Sequence, residues 1–414
     1  MKKLLLVTTA LVGVTMMSAP ASAANIKLDL GGYLKFYGVY ADNDELAANS
    51  RYNFEFRRNN EIHFIGETTL DNGLTVGAVT EMRIADAGNG VTTDESYGYL
   101  YGQWGRVNLG VEDGAAYLLQ VAAPSADSNV DGMRTSIQAL NPTTLHDDGA
   151  LLTGAQNNGG FNQDVASWDY QHADFRTIDR LTYLTPKFNG FQAGVSYAPN
   201  ALVADNNAAM ALDDDSTDDV ENLWEVSARW DGTFEGFGIG VGAGYSTGSQ
   251  EVAPTAVEIT ALTTQEYLFT DAPSTWNVGA SVAFKGFSLG GGYLFTDTTR
   301  SANVDDGVTD VLASGDVNRD TWVVGGAYDN GPYHVGASYL NQQTEYDRLG
   351  AAALGTDIAA GEFEVQKFTV GGGYTFGPGM TFRGAIAWGD FDAPAGGAAN
   401  NDFAQITVGT DIQF

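Results

Sequence analysis

The 414 residues contain no cysteine, so whatever holds this chain together does so without disulfides. Basic residues are scarce. Lys and Arg number 20 against 52 Asp and Glu, a net charge of −32. That excess repels phosphate backbones and excludes nucleic acid as a partner. Past residue 23 there is no run of about 18 apolar residues, so no helix is long and apolar enough to cross a bilayer. Histidine is rare and dispersed: His63, His146, His172 and His334 sit in no local Ser or Asp constellation. An enzyme needs a nucleophile and base within reach of each other, and none is read here. No metal centre is read either.

What is abundant points elsewhere. Glycine reaches 52 residues, well above the usual share of about 7%. There are 21 Phe, 19 Tyr and 7 Trp, an aromatic content that disordered acidic chains lack. The first 23 residues have a basic start at Lys2 and Lys3, an apolar stretch over 4–14 and the small residues Ala21-Ser22-Ala23. This is the pattern of a cleaved secretory signal peptide. It implies export across a bacterial inner membrane and a mature domain over 24–414.

Most of that domain alternates with a period of two. In 25–40, Leu28, Leu30, Leu34 and Phe36 oppose Lys27, Asp29, Tyr33, Lys35 and Tyr37. In 53–68, Phe54, Phe56, Ile62 and Phe64 oppose Glu55, Arg57, Asn59, Glu61 and His63. Such alternation marks strands with one apolar and one wet face. Arg58 and Asn60 interrupt the apolar face of the second, which calls for a bulge or a surface covered by protein. Later strands place aromatics at both ends of small aliphatics. Phe191 and Tyr197, Phe237 and Tyr245, Trp276 and Phe284, Trp322, Tyr333, Tyr339 and Trp388 are the clearest cases. A strand packed in a sandwich core has no reason for that bracketing. A strand crossing lipid does, because aromatic rings settle at the two interfaces.

Connections are of two kinds. Short turns at 71–73, 105, 187–190, 231–236, 285–286, 329–332 and 377–379 alternate with long polar stretches such as 205–219, 249–274 and 301–319. The count implies about 16 strands. The fold expected is therefore all-β, a transmembrane antiparallel up-and-down β-barrel with both termini in the periplasm. At that size side chains no longer fill the bore, and a water-filled channel remains. The motifs FNGFQAGVSY, FEGFGIGVGAGY and FKGFSLGGGY repeat at irregular intervals and are read as turn-plus-strand chemistry.

Residues 113–173 alone break the alternation. About 60 irregular residues inside a compact domain are functional or disordered. Here they are read as the third long loop, folded inward to narrow the bore. The candidate cationic wall is Lys35, Arg57, Arg83, Arg106, Arg176 and Arg180. The acidic set in or beside the loop is Glu112, Asp113, Asp127, Asp131, Asp147, Asp148 and Asp164. Low-dielectric walls would focus the field between the two. Net acidity leans the channel toward cations. The run 213–219, five Asp with Ser216 and Thr217, reads as a solvated acidic loop or as a loose Ca2+ or Mg2+ site, bridging to lipopolysaccharide phosphates being the middle case. An aromatic slide of Tyr33, Tyr37, Tyr97, Tyr99 and Tyr101 is the mark of the alternative, a channel specific for a sugar or an anion.

With these segments in view, the chain resembles the general bacterial porins of the Gram-negative outer membrane. YLYGQWGRVNLG (99–110) is similar to the family's approach to its third loop. RTIDRLTYLTPKFNGFQAGVSY (176–197) is similar to the strand, turn and strand that follow it. Phe414 ends the last strand as does the signal read by the outer-membrane insertion machinery. The resemblance implies trimers of sixteen-stranded barrels in lipid and lipopolysaccharide that pass small hydrophilic solutes, with arginines facing an inward third loop. It places one such arginine at Arg176. Val111 stands where many members carry Arg, and the enteric Pro-Glu-Phe-Gly-Gly loop motif is missing.

Overall fold

The computed structural model describes residues 26–43, 53–84, 91–125, 170–172, 177–201, 220–250, 267–305, 310–346, 361–392 and 401–414. The expected signal peptide, the acidic run 213–219 and residues 126–169 of the long segment lie outside them.

The described residues form sixteen strands and one helical turn. In chain order they are β1 (Lys27–Asn43), β2 (Phe54–Thr69), β3 (Thr75–Ile84), β4 (Val91–Gly102), β5 (Gly105–Glu112), α1 (Ala115–Leu118), β6 (Ile178–Leu184), β7 (Phe191–Asn200) and β8 (Val220–Phe234). Then follow β9 (Phe237–Gln250), β10 (Tyr267–Phe284), β11 (Phe287–Asp305), β12 (Asp310–Asn330), β13 (Tyr333–Tyr346), β14 (Gly361–Gly377), β15 (Met380–Asp392) and β16 (Asn401–Gln413). Each strand pairs antiparallel with its neighbours in sequence, and β1 closes the ring on β16. The terminal residue completes the seam: Gly32 N–H donates to the Phe414 carbonyl (3.1 Å) and Phe414 N–H to the Gly32 carbonyl (3.2 Å). Closure leaves no sheet edge unpaired, which lipid would not tolerate.

The repeated F-x-G-F motifs are the short turns. Glu235 and Gly236 both have positive φ, as do Lys285 and Gly286, the signature of two-residue type I′ turns, in which glycine is unstrained. Flanking phenylalanines pair across each turn, Phe234 with Phe237 and Phe284 with Phe287.

The barrel is inside-out relative to a soluble core. Polar residues are buried in the wall's inner face, where Thr275 and Thr296 hydroxyls lie 2.9 Å apart and Gln342 donates to Thr321 (2.8 Å). Large apolar residues face outward: Trp224, Val226, Val241, Val278, Val324, Ile386 and Val408 are all exposed. The bulge offered for Arg58 and Asn60 does not form. β1 and β2 stay in unbroken register from Lys27↔Glu67 to Tyr40↔Phe54, with Arg58 beside Phe36 and Asn60 beside Leu34. Asn60 Oδ1 accepts the Lys35 N–H (3.0 Å), so the side chain joins the ladder instead of breaking it.

Candidate functional site: the lumen wall and the segment laid against it

After β5 the chain turns inward and runs around the inside of the barrel. Ala115 N–H donates to Ser196 Oγ on β7 (2.8 Å), and Ala116 N–H to Glu225 Oε2 on β8 (2.9 Å). Ser227 Oγ donates back to the Ala115 carbonyl (2.6 Å), and Arg229 to the Gln120 carbonyl (3.2 Å). Farther on, the Ser338 hydroxyl of β13 donates to the Ser125 carbonyl. The far end of the segment lies on the same wall. Tyr170 donates to the carbonyls of Val278 (3.3 Å) and Tyr293 (3.1 Å), and burial pushes its hydroxyl up to about 12, so it stays a donor. The Asn277 amide donates to His172 Nδ1 (2.8 Å), which leaves Nε2–H for Ser246 Oγ (2.7 Å).

Glycines on the inner face make room for this path. Across the ladders Gly242 faces Gly279, Gly279 faces Gly292, and Gly290 faces Gly325. A Cβ on Gly279 would collide with the Val121 carbonyl oxygen, one on Gly325 with that of Pro124, and one on Gly336 with the Ser125 side chain. The glycine excess therefore builds a slot across β9–β13 into which backbone fits.

The predicted cations divide by location. Lys35 on β1 and Arg57 on β2 face inward across the bore from β9 and β10, since β1 and β9 are eight strands apart in the ring of sixteen. Lys35 Nζ lies 5.1 Å from the Tyr33 ring centroid, and Arg57 pairs with Glu55 (3.0 Å). Arg83 pairs with Asp94 (2.5 Å) and Glu61 (3.3 Å). Arg106 donates to Asn108 (2.7 Å) and stacks on Tyr99, 4.1 Å from its centroid. Arg383, on β15, pairs with Asp411 (2.8 Å), which also accepts the Tyr37 hydroxyl.

Arg180 departs from its expected role. It is 3% exposed and pairs with Glu225 at 2.5 Å beneath Gly114, so it anchors the inward turn and faces no open water. Glu112 is likewise a wall residue, the last of β5, and accepts both contacts of the Asn108 amide (2.6 and 2.7 Å). Asp113 is buried next to it. Arg176, Asp127, Asp131, Asp147, Asp148 and Asp164 lie outside the described residues. The sequence alone does not single out Glu225, Asn277 or Tyr170; alternation puts glycines on the wet face but does not show that they receive the segment. Glu225 does carry the signal of a wet-face residue between outward Trp224 and Val226.

The outward aromatics form two rows. One runs Tyr197–Trp224, Trp276–Tyr293 and Trp322–Tyr339–Phe368–Trp388, with ring centroids 4.5 to 5.7 Å apart. The other, near the short turns, holds Phe191, the stacked pair Phe237–Phe284 (4.3 Å), Phe287–Tyr328 (4.3 Å) and Tyr333–Tyr374 (5.0 Å). Phe237 and Tyr245 bound one strand's apolar stretch. Their separation rises about 20 Å at about 3.3 Å per residue and a tilt of about 40°, which fits an apolar band about 25 Å tall.

The sequence profile of the Gram-negative porins matches residues 8–394. No curated protein matches in sequence. Among solved structures, the chain is similar to an anion-selective porin from Comamonas acidovorans, at 16% identity and a TM-score of 0.56, covering 94% of this chain and 100% of that one. It is also similar to OmpT, an outer membrane protein of Vibrio cholerae in its trimer form, at 12% identity and a TM-score of 0.56, again covering 94% and 100%. At these identities the likeness concerns the fold.

Proposed function

This chain belongs to the Gram-negative porin family, and on that premise we propose that it is a general diffusion channel for small hydrophilic solutes and ions. The family makes it an outer-membrane channel protein. The observation that carries the finer reading is the arrangement inside the barrel. The described ends of the long segment follow one wall, while Arg57 and Arg383 line the wall across the bore, with Lys35 buried in the same wall. Width then sets the size limit, and the field between loop and wall orders water and favours polar solutes. Arginine suits the wall because it stays charged at every working pH. The excess of carboxylates favours cations.

The rival, a substrate-specific channel, draws on the stack of Arg106 over Tyr99 and Tyr97 (4.1 and 6.0 Å to the centroids), which could hold a sugar or an anion. Single-channel recording separates the two. A general channel gives open steps with linear current against voltage, and Arg57→Ala and Arg176→Ala shift its ion selectivity. Saturable, solute-blocked current would reverse the ranking, and a silent bilayer would remove the channel reading.

Trimer formation belongs to the same reading. The outward face of β1–β5 carries Arg58 and the bonded pair Thr80–Ser96 (3.3 Å) among apolar residues. These polar groups fit a neighbouring copy better than hydrocarbon. The Vibrio cholerae relative's trimer form supports it. Lipopolysaccharide contact and handling of Phe414, exposed at the seam, by the insertion machinery complete the proposal, as does removal of residues 1–23.

A further inference from the structure

On the inner wall of β2 and β3 a second kind of chemistry is assembled. Glu61 and His63 are two apart on one strand and share its inward face, and Glu81 stands directly across from His63. His63 Nε2 lies 3.3 Å from Glu61 Oε2 and 3.5 Å from Glu81 Oε2, and the three ligand atoms all fall within 4.8 Å of one another. A tetrahedral zinc ion, with metal–ligand distances of about 2.0–2.2 Å, needs neighbouring ligand atoms about 3.3–3.6 Å apart. The two distances to His63 lie within that window before any ion is placed.

The surroundings favour an ion independently of those distances. Glu95 is the cross-strand partner of Glu81 on the next strand, and like charges directly opposite repel. Glu61, Glu81, Asp94 and Glu95 form one cluster of carboxylates, in which the Arg83 guanidinium pairs with Asp94 (2.5 Å) and Glu61 (3.3 Å). The ligands are also held from behind. Arg83 fixes the other Glu61 oxygen at 3.3 Å, and the Tyr33 ring packs edge-on against His63, centroids 6.1 Å apart. Outer contacts of this sort orient ligands for a metal.

We propose that Glu61, His63 and Glu81 form a binding site for a divalent transition-metal cation of the Zn2+ type. Glu61 and His63 are buried and Glu81 is half-buried; a fourth position is left for lumen water. Imidazole selects such a cation over Ca2+ or Mg2+, which prefer all-oxygen shells. An ion held there removes negative charge from the channel wall and reduces its preference for cations. The site needs the barrel alone and no particular solute preference.

The test is titration of Zn2+ into tag-free, refolded full-length protein in detergent, with Co2+ as a spectroscopic stand-in. The absence of cysteine makes the Co2+ spectrum easy to assign. A saturable Zn2+ site with a four-coordinate Co2+ spectrum is expected, retained in His334→Ala, lost in His63→Ala and in Glu81→Gln, and not competed by Mg2+. Glu81→Gln keeps the side chain's shape and decides the matter if His63→Ala does not fold, folding being read from heat-dependent gel mobility. Binding that survives Glu81→Gln, or yields equally to Mg2+, or is never saturable, reduces the cluster to an ion-pair network and overturns the proposal. The readout is binding, so it stands apart from any failure to conduct.

Discussion

The two halves of the barrel wall are built to different specifications. From β7 to β15 the outside is ringed by two aromatic rows with aliphatics between, and the inside carries glycines, Ser196, Ser227, Asn277 and Ser338, which receive the inward segment. From β16 round to β5 the pattern changes on both faces. Outside, Arg58, Thr80 and Ser96 interrupt the apolar surface. Inside, Lys35, Arg57, Glu61, His63, Glu81 and Arg83 form a dense charged face. A wall that must meet hydrocarbon is uniform, because any departure costs free energy. A wall backed by protein is free to vary. On our proposal the half that holds the segment is the half that faces lipid, and the charged half is the one that faces neighbouring copies.

The sharpest way to break this comparison is to take the segment away. Replacing residues 126–169 by a short Gly-Ser linker from Ser125 to Tyr170 removes what we propose narrows the bore. Single-channel conductance should rise by at least about twofold, because a barrel of about 16 strands otherwise encloses an open aqueous channel. Unchanged conductance would mean that the narrow zone lies on the charged wall alone.

Next in size is the anchor of the inward turn. Glu225→Ala removes the carboxylate that buried Arg180 contacts at 2.5 Å and withdraws the acceptor of Ala116 N–H. Removing one partner of a buried pair costs about 3–5 kcal/mol. Unfolding in urea with reversible insertion into lipid should show the loss. Arg57→Ala, on the open wall, should change selectivity with little effect on stability.

These anchors mark the boundary of what could be read in advance. The strands and seven short turns were legible because period-two alternation and X-Gly turns are local, and sixteen strands followed from counting. The outward aromatics were legible for the same reason: Trp276 and Phe284 bracket a strand in any register. Arg180 was not. It shares the wet face with Arg106 in sequence, and only the passage of Gly114 over it turns a lumen cation into a buried one. The glycines at 242, 279 and 325 read as a composition excess. Their purpose appears once cross-strand register lines them up beneath Val121 and Pro124. The cluster of Glu61, His63 and Glu81 carried half a signal, the i, i+2 pair on one face, and needed the register of β3 for the rest.

The outer faces give a pair of smaller tests. Val278→Arg puts a cation in the apolar band of β10 and should cost about 2–4 kcal/mol of barrel stability. Arg58→Leu, on β2, should leave the barrel's own stability within about 0.5 kcal/mol and change its assembly, seen as a shift in the trimer-to-monomer ratio on semi-native gels. If Arg58→Leu stabilises the isolated barrel as an added lipid-facing leucine would, that face meets hydrocarbon after all.

The smallest expected effect is the most discriminating between the halves. Tyr339 packs between Trp322 (4.9 Å) and Phe368 (4.5 Å) in the aromatic row, and aromatic pairs contribute about 0.5–1.5 kcal/mol each beyond the area they bury. Tyr339→Leu should therefore lower stability by about 1–2 kcal/mol. Tyr40, exposed on β1 beside Phe54, lies outside that row. Tyr40→Leu should cost less in the isolated barrel and show its effect in the trimer. Leucine retains hydrophobic area at both sites, so the difference between the two variants reports ring packing at the membrane interface together with the hydrogen bond from the Tyr339 hydroxyl to Gln366 Oε1 (2.8 Å). Equal losses in lipid, with no change in assembly for either, would make the two walls equivalent toward the membrane and remove the reason for assigning β1–β5 to a subunit contact.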